Sequence, residues 1–421
     1  MAINTTDDLH GQAPPPAGTG AESAARSRSL SRNTGFWLVG TVLVLLLFSS
    51  SVPSPLYEIY QQRWHFSATM LTVVFAVYAL AVLISLLVFG SLSDAIGRRK
   101  VLLVGLGLAV VSMAVFAAAQ NVGWLLAARA VQGIAVGLAT GAMSAALIEL
   151  APADRPTRGT LVNSSAPTLG MALGALVSGF LVQYAPAPRV LTYVLLLAAF
   201  ALTFLGILAL PETAPNAGQG LPVRPRRISV PKPARRSFAL LSLALVAVWA
   251  VGGFYLSLGP SLALQLLHSH STFIGGLTVA ILAGIATVGQ LALGKIPPLR
   301  TALLGLVALV IGLVLLLVAL SSSSTAVFFI GTAVLGLGWG STFLGTFRSL
   351  AGLAEPKSRG ELMAAVYVVA YLAMSIPAVI AGLLSSHLGL HDTAVDFTVA
   401  VGVICLIALA GLRWVFAAAK R

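Results

Sequence analysis

The sequence predicts an all-α membrane protein with twelve transmembrane helices in two six-helix halves, on three observations. Apolar residues fill 58% of the 421 positions and charged residues only 9%, too few charges to solvate a soluble protein of this length. Apolar runs able to cross about 30 Å of hydrocarbon recur along the whole chain. The cations alternate between those runs. With the N-terminus inside, segments on that side collect 3, 3, 2, 6, 2, 2 and 3 of the 25 Lys and Arg in order, while the other side holds only Arg63 and Arg189. Short loops rich in Lys and Arg stay on the cytoplasmic side, so both termini are expected there.

Residues 1–35 are rich in Ala, Pro, Gly and Ser and carry Arg26, Arg28 and Arg32. They read as a disordered cytoplasmic tail with a basic stop beside the membrane. The run from Phe36 to Leu56 lacks a convincing cleavage site and reads as an uncleaved first helix. The N-terminal bundle, 36–210, is expected to place its helices near 36–57, 69–91, 101–119, 123–148, 159–184 and 190–210. The stretch 211–237 carries Arg224, Arg226, Arg227, Lys232, Arg235 and Arg236 among prolines, and reads as a basic cytoplasmic linker. The C-terminal bundle, 238–416, follows with runs near 238–263, 272–293, 299–319, 325–350, 360–384 and 394–416, and 417–421 is a short cytoplasmic tail. A weak internal repeat supports the division. Gly133-Ile-Ala-Val-Gly137 in the fourth run is echoed by Gly336-Leu-Gly-Trp-Gly340 in the tenth, and Leu150-Ala151 before Arg158-Gly159 by Leu353-Ala354 before Arg359-Gly360.

Several function classes drop out. The net charge of +13 is scattered over short loops with no basic face, which argues against a nucleic-acid partner and for loops held beside anionic lipid. The single cysteine, Cys405, rules out a disulfide framework and a CxxC metal site. His65, His268, His270, His387 and His391 fall in expected outer loops. The pairs among them lack a convergent thiolate or carboxylate, so no metal site is expected. A Walker sequence, a nucleophile elbow and an HExxH motif are missing, so the chain is not expected to be an enzyme or to carry a cofactor. Energy for any work would come from an ion or solute gradient, not from a bound nucleotide.

The most informative polar stretch is Gly90-Ser-Leu-Ser-Asp94-Ala-Ile-Gly97-Arg98-Arg99-Lys100, between the second and third runs. Gly90 and Gly97 permit a tight turn, and three cations fix the loop inside. The stretch resembles the G-x-L-x-D-x-x-G-R-R/K signature of the major facilitator superfamily, except that Ala95 stands where a cation often follows the aspartate. The corresponding loop of the second half, Gly294 to Arg300, has no aspartate. The resemblance covers about 36–416 and implies alternating access between the two halves. It also implies a gate at Gly90, Asp94, Gly97, Arg98 and Arg99, with Asp94 facing the N-terminus of the eleventh helix. Glu149 ends the fourth helix, where a negative charge opposes the dipole, and Arg98 is the expected partner.

Inside the fourth run, Leu125-x-x-x-Arg129-x-x-Gln132-Gly133 resembles the second signature of proton-coupled members. That likeness assigns Arg129 and Gln132 to proton coupling; an arginine reaching to the outer interface is the plain alternative. Glu58, after the Pro53-Ser-Pro55-Leu-Tyr57 break expected to end the first helix, is the nearest acid and a candidate ion-pair partner of Arg129. Pro167 and Gly170 in the fifth run loosely resemble the helix-bending signature of drug–proton antiporters. Tyr78, Trp249, Tyr255, Gln290, Trp339, Phe343 and Tyr371 have the chemistry of a cavity lining and suggest an amphipathic or aromatic solute. Arg348 is expected to reach the cytoplasmic interface.

The resemblance therefore implies a monomeric, proton-coupled exporter of small organic solutes in a bacterial cytoplasmic membrane. An uptake symporter or facilitator on the same fold is the alternative. A non-transporting sensor or scaffold would predict decay of Asp94, Arg98 and Arg129, and all three are present.

Overall fold

The computed structural model describes residues 30–155, 157–214, 225, 227–353, 355 and 358–418. The N-terminal half contains α1 (Arg32–Ser51), α2 (Pro53–Trp64), α3 (Ala68–Phe89), the short α4 (Leu92–Ile96), α5 (Arg98–Ala117), α6 (Val122–Glu149), α7 (Thr157–Tyr184) and α8 (Leu191–Leu208). The C-terminal half contains α9 (Arg235–Ser257), α10 (Gly259–Leu266), α11 (Thr272–Leu293), α12 (Pro298–Ser322), α13 (Thr325–Ala351), α14 (Arg359–Leu388) and α15 (Leu390–Ala418). Twelve spans among these are long and apolar enough to cross a membrane, α1 and α2 together forming the first. The chain is a multi-pass membrane protein. The face bearing the 90–100 loop is called the basic face below.

Short polar side chains start several spans. Ser31, Ser67, Asn121 and Ser324 each accept an amide of the first turn, from Thr34, Met70, Trp124 and Val327, satisfying donors that a helix start leaves free. Burial separates inner from outer spans. Only 28% of the apolar core of α8 and of α15 is buried, against 61% for α6 and α13. Outer spans must expose apolar side chains to lipid, and Leu202, Leu205, Leu406 and Ile407 are all more than half exposed.

The repeat appears in the packing. A Cβ on Gly133 would meet Ala81 Cβ at 2.6 Å, and one on Gly137 the Val82 carbonyl at 2.6 Å, so α6 lies directly on α3. Gly336 and Gly340 of α13 make the same approach to α11, at the Leu282 and Ala286 backbones. Small residues are what let membrane helices come this close.

Several expected boundaries move. The first span does not end at Pro53-Ser-Pro55. Helix resumes at Pro53 and continues to Trp64, because both prolines fall in the first turn of α2, where a missing N–H costs no helical bond. Conversely, 238–263 is not one run: α9 stops at Ser257 and α10 begins at Gly259 with Pro260 in its first turn. Residues 32–35, expected in the tail, are helical, and α15 extends to Ala418. Residues 1–29 of the expected tail, 215–224 and 226 of the linker and 419–421 of the C-terminal tail lie outside the described residues. Pro167 sits inside α7 and the helix runs through it, while the place of a Gly170 Cβ is occupied by α1, with Phe48 N at 3.0 Å.

The two halves meet along α7–α11 and α3–α14. Hydrogen bonds across this seam gather toward the face opposite the basic one. Thr69 Oγ1 donates to the Gly382 carbonyl at 3.1 Å and lies 3.0 Å from Ser386 Oγ. Ser54 Oγ donates to the Leu256 carbonyl at 2.7 Å, and Thr272 N donates to Gln183 Oε1 at 2.9 Å. Deeper in, Thr287 Oγ1 donates to Thr168 Oγ1 at 2.8 Å, which donates to Gln290 Oε1 at 3.0 Å.

Candidate transport site

Arg129 occupies the centre of the N-terminal half, with no solvent exposure. α6 carries it to the junction of α1 and α2, and those helices supply its partners. Nε and Nη2 both donate to Tyr57 Oη, at 2.9 and 2.5 Å. Nη1 donates to the Ser50 carbonyl at 2.9 Å and to Gln132 Oε1 at 2.7 Å. Gln132, one turn along α6, is held in turn by Nε2 donating to the Ser49 carbonyl at 2.9 Å. The guanidinium carbon lies 5.1 Å from the Tyr78 ring centroid, 5.6 Å from that of Tyr57 and 5.9 Å from that of Phe116. Aromatic faces and neutral oxygens replace its water. Among the described residues no carboxylate pairs with it.

The expected Glu58–Arg129 ion pair is therefore not formed. Because the first span continues as α2, consecutive residues point about 100° apart, and Tyr57 rather than Glu58 turns inward to the arginine. Glu58 instead faces the seam, accepting from Ser261 Oγ of α10 at 3.1 Å and from Gln62 Nε2 at 3.2 Å.

On the basic face the loop residues assemble with groups from three other elements. Arg98 forms an ion pair with Asp94 one turn back, donates to Ser93 Oγ at 2.7 Å, and reaches Glu149 Oε1 at 3.3 Å. Burial opposes the charge on Arg98, but the hydrogen-bonded carboxylates of Asp94 and Glu149 hold it. Glu149 also accepts from Thr213 Oγ1 at 2.6 Å, and its carbonyl accepts from Arg32 Nη2 at 2.5 Å. Asp94, expected at the N-terminus of α14, has Arg98 as its ion-pair partner among the described residues; the i,i+4 spacing created by α4 and the turn at Gly97 brings the two together. Gly97 has φ +104°, a conformation for which glycine is suited. Gly90 closes α3, and Arg99 donates its amide to Glu212 Oε2 at 3.2 Å.

Glu212 is the residue that sequence reasoning missed. Its carboxylate accepts the amides of Arg98 at 2.7 Å, Thr213 at 3.1 Å and Ala214 at 3.0 Å, so it caps α5 at the positive end of the helix dipole. The available signal was an acid directly after an apolar run, on the same face as three loop cations. Arg348 has a comparable task in the other half: its Nη1 donates to the carbonyls of Gly294 at 2.9 Å and Ile296 at 3.3 Å, neutralising the negative end of α11.

The residues expected to line a cavity separate into two groups. Trp249 of α9, Phe343 of α13 and Tyr371 of α14 come together, with centroids 5.7 Å apart for Trp249–Phe343 and 5.4 Å for Trp249–Tyr371. Tyr78 sits beside Arg129 across the seam. Trp339, Tyr255 and Gln290 are packed in instead. Trp339 Nε1 donates to the Val248 carbonyl at 2.8 Å, Tyr255 Oη is 3.3 Å from Thr332 Oγ1, and Gln290 belongs to the Thr168 seam. Thr332 is the repeat counterpart of Arg129, so the buried charge belongs to one half only.

The model of the Major Facilitator Superfamily matches residues 39–297, which include the loop signature, the α6 signature and the start of the second half. The chain belongs to the Major Facilitator Superfamily. Among curated members of this transporter superfamily, the citrinin biosynthesis cluster transporter mrr1 of Monascus ruber is 28% identical over 177 residues, 42% of this chain and 35% of that protein. YybF of Bacillus subtilis, an uncharacterised MFS-type transporter, is 31% identical over 134 residues, 31% of this chain and 32% of that one. The matched segments thus span about a third of each relative. Solved folds agree along nearly the whole chain. A bacterial homologue of the human lysosomal transporter Spinster has a TM-score of 0.70 at 13% identity, covering 91% of this chain and 97% of that one. The human organic anion transporter MFSD10 has a TM-score of 0.63 at 17% identity, covering 90% and 100%.

Proposed function

We propose that this protein is a secondary active transporter that exports small organic solutes in exchange for protons, with its basic face and both termini in the cytoplasm. One observation carries the reading: Arg129 is a permanent cation with no solvent exposure and no carboxylate partner among the described residues. Such a charge costs several kcal/mol to bury, and its counterpart Thr332 shows that the fold does not require it. A cost of that kind is retained where the charge works. Arg129 acts as a fixed field that favours loss of a proton from a nearby group and is relieved when an anion arrives. Glu58 is the proton carrier in this scheme. It follows Tyr57 in sequence and bridges the halves through Ser261. A carboxylate only accepts a hydrogen bond, whereas its protonated form also donates, so protonation rewrites that bridge on the face where the halves touch.

The test is reconstitution into liposomes with a pH dye trapped inside and a panel of organic solutes applied under an imposed pH gradient. Counter-movement of solute and protons, lost in Arg129→Met and uncoupled in Glu58→Gln, is the expected result. Solute flux indifferent to the gradient would remove proton coupling. Co-directional movement would make the protein an uptake symporter.

A further inference from the structure

The geometry points to a subsite in the C-terminal half for the aromatic ring of an anionic solute, whose carboxylate oxygen accepts the Trp249 indole N–H. The inference rests on the transport reading above, in taking the seam between the halves as the path of the solute.

Five rings form a closed circuit on three helices. Trp249 meets Phe343 at 5.7 Å and Tyr371 at 5.4 Å; Phe343 meets Phe347 at 5.5 Å; Phe347 meets Tyr367, and Tyr367 meets Tyr371, each at 6.4 Å. None of the five is fully buried, although each ring touches rings from other elements of the bundle. The circuit borders the seam, because α14, which carries Tyr367 and Tyr371, packs on α3 of the other half. Trp249 and Phe343 stand at 83° to each other, which leaves a flat face beside an edge, the arrangement that accepts another ring.

Polarity selects the solute. The Trp249 Nε1 atom is buried and has no hydrogen-bond partner, whereas Trp339, one helix away, spends its N–H on the Val248 carbonyl at 2.8 Å. A buried indole N–H without an acceptor is costly to leave so, and a bound oxygen would relieve it. Cations fit poorly. The buried charged side chains among the described residues are Arg98 and Arg129, both positive, and Arg129 lies behind Tyr78, 5.1 Å from that ring's centroid. The α3 helix that carries Tyr78 packs against α14, which carries Tyr371, so the Arg129–Tyr78 pair stands across the seam from the aromatic circuit. An aromatic cage alone would suit an ammonium group; an aromatic cage with a spare N–H donor and a buried cation across the seam suits an aromatic acid.

The experiment measures binding of benzoate, benzylamine and cyclohexanecarboxylate to the purified full chain in detergent by calorimetry. These probes are similar in size and differ in charge or aromaticity. Benzoate is expected to bind at least tenfold more tightly than benzylamine and at least threefold more tightly than cyclohexanecarboxylate. Trp249→Phe, which keeps a ring and removes the N–H, is expected to weaken benzoate about tenfold without lowering the unfolding temperature. Benzylamine binding as well as benzoate, or unchanged benzoate affinity in Trp249→Phe, would overturn the inference. The ranking on the unaltered chain stands even if the variant fails to fold. Binding needs no gradient, so the two readings fail separately: proton-linked flux without this ranking removes the subsite alone, and the ranking without any flux removes the transport reading alone.

Discussion

Replacing Tyr57 by Phe tests whether Arg129 is held as a working charge or as a structural strut. The phenolic oxygen accepts two N–H groups of the guanidinium, at 2.9 and 2.5 Å. Removing that oxygen leaves both donors buried and unpaired, while the ring, 5.6 Å from the guanidinium carbon, stays in place. Hydrogen bonds to charged groups contribute about 1.5–3 kcal/mol each, and two bonds sharing one oxygen give an expected loss of about 3 kcal/mol. In Arg129→Met the charge and its burial cost disappear, while Tyr57 Oη and Gln132 Oε1 each lose a donor; the two effects oppose each other, so stability should change by about 1 kcal/mol or less. Tyr57→Phe added to Arg129→Met should then cost little, giving a coupling energy of about 2–3 kcal/mol in the double-mutant cycle. The assay is reversible unfolding in mixed micelles by titration with SDS, followed by circular dichroism, with transport measured in parallel. Transport should fall at least tenfold in Arg129→Met and in the double variant. If Arg129→Met loses as much stability as Tyr57→Phe, the arginine is a structural strut and not a working charge.

Two other perturbations address the basic face and the seam. Gly97→Ala forces φ +104° on a residue with a side chain, and its Cβ would fall 2.8 Å from the Glu212 carboxyl carbon; a loss of about 2 kcal/mol is expected, and Glu212→Ala in the same chain should restore part of it. A double variant no more stable than the sum of the singles would refute the clash with Glu212. Cysteines at Thr69 and Ser386, whose oxygens are 3.0 Å apart, should cross-link in a chain carrying Cys405→Ala and stop transport until reduced. Transport by the cross-linked protein would show that this face need not open.

The architecture was legible because hydrocarbon imposes a coarse rule: length, apolarity and loop charge fix the number of spans. The boundaries that moved at 53–64 and at 257–260 both lie at prolines. Pro53 and Pro55 read as a stop, but a proline in the first turn of a new helical segment removes no bond, and α2 continues to Trp64. That one error propagated into the site. Ending the first span at Tyr57 left Glu58 free to meet Arg129, whereas a continuing helix sends consecutive side chains in different directions and gives the arginine Tyr57 instead. Arg98 and Glu149 were legible as a pair because both are charges at helix ends, each needing compensation. Glu212 was not, because its partners are backbone amides that carry no signature in the sequence. The division of the aromatics into a Trp249 circuit and packed Trp339 was equally invisible, since it depends on which face of α9 each ring meets.

Glu212 also has a bearing on how the chain is made. Its carboxylate, together with Thr213, ties the end of α8 to the start of α5 and to Glu149 at the end of α6. Arg32 at the start of α1 reaches the same residue. Every group in that knot lies between residues 32 and 214. The polar contacts that close the first six spans on the basic face can therefore form during synthesis without any residue beyond 214. The N-terminal half thus carries its own closure on this face, with no contribution from the second half to that knot among the described residues.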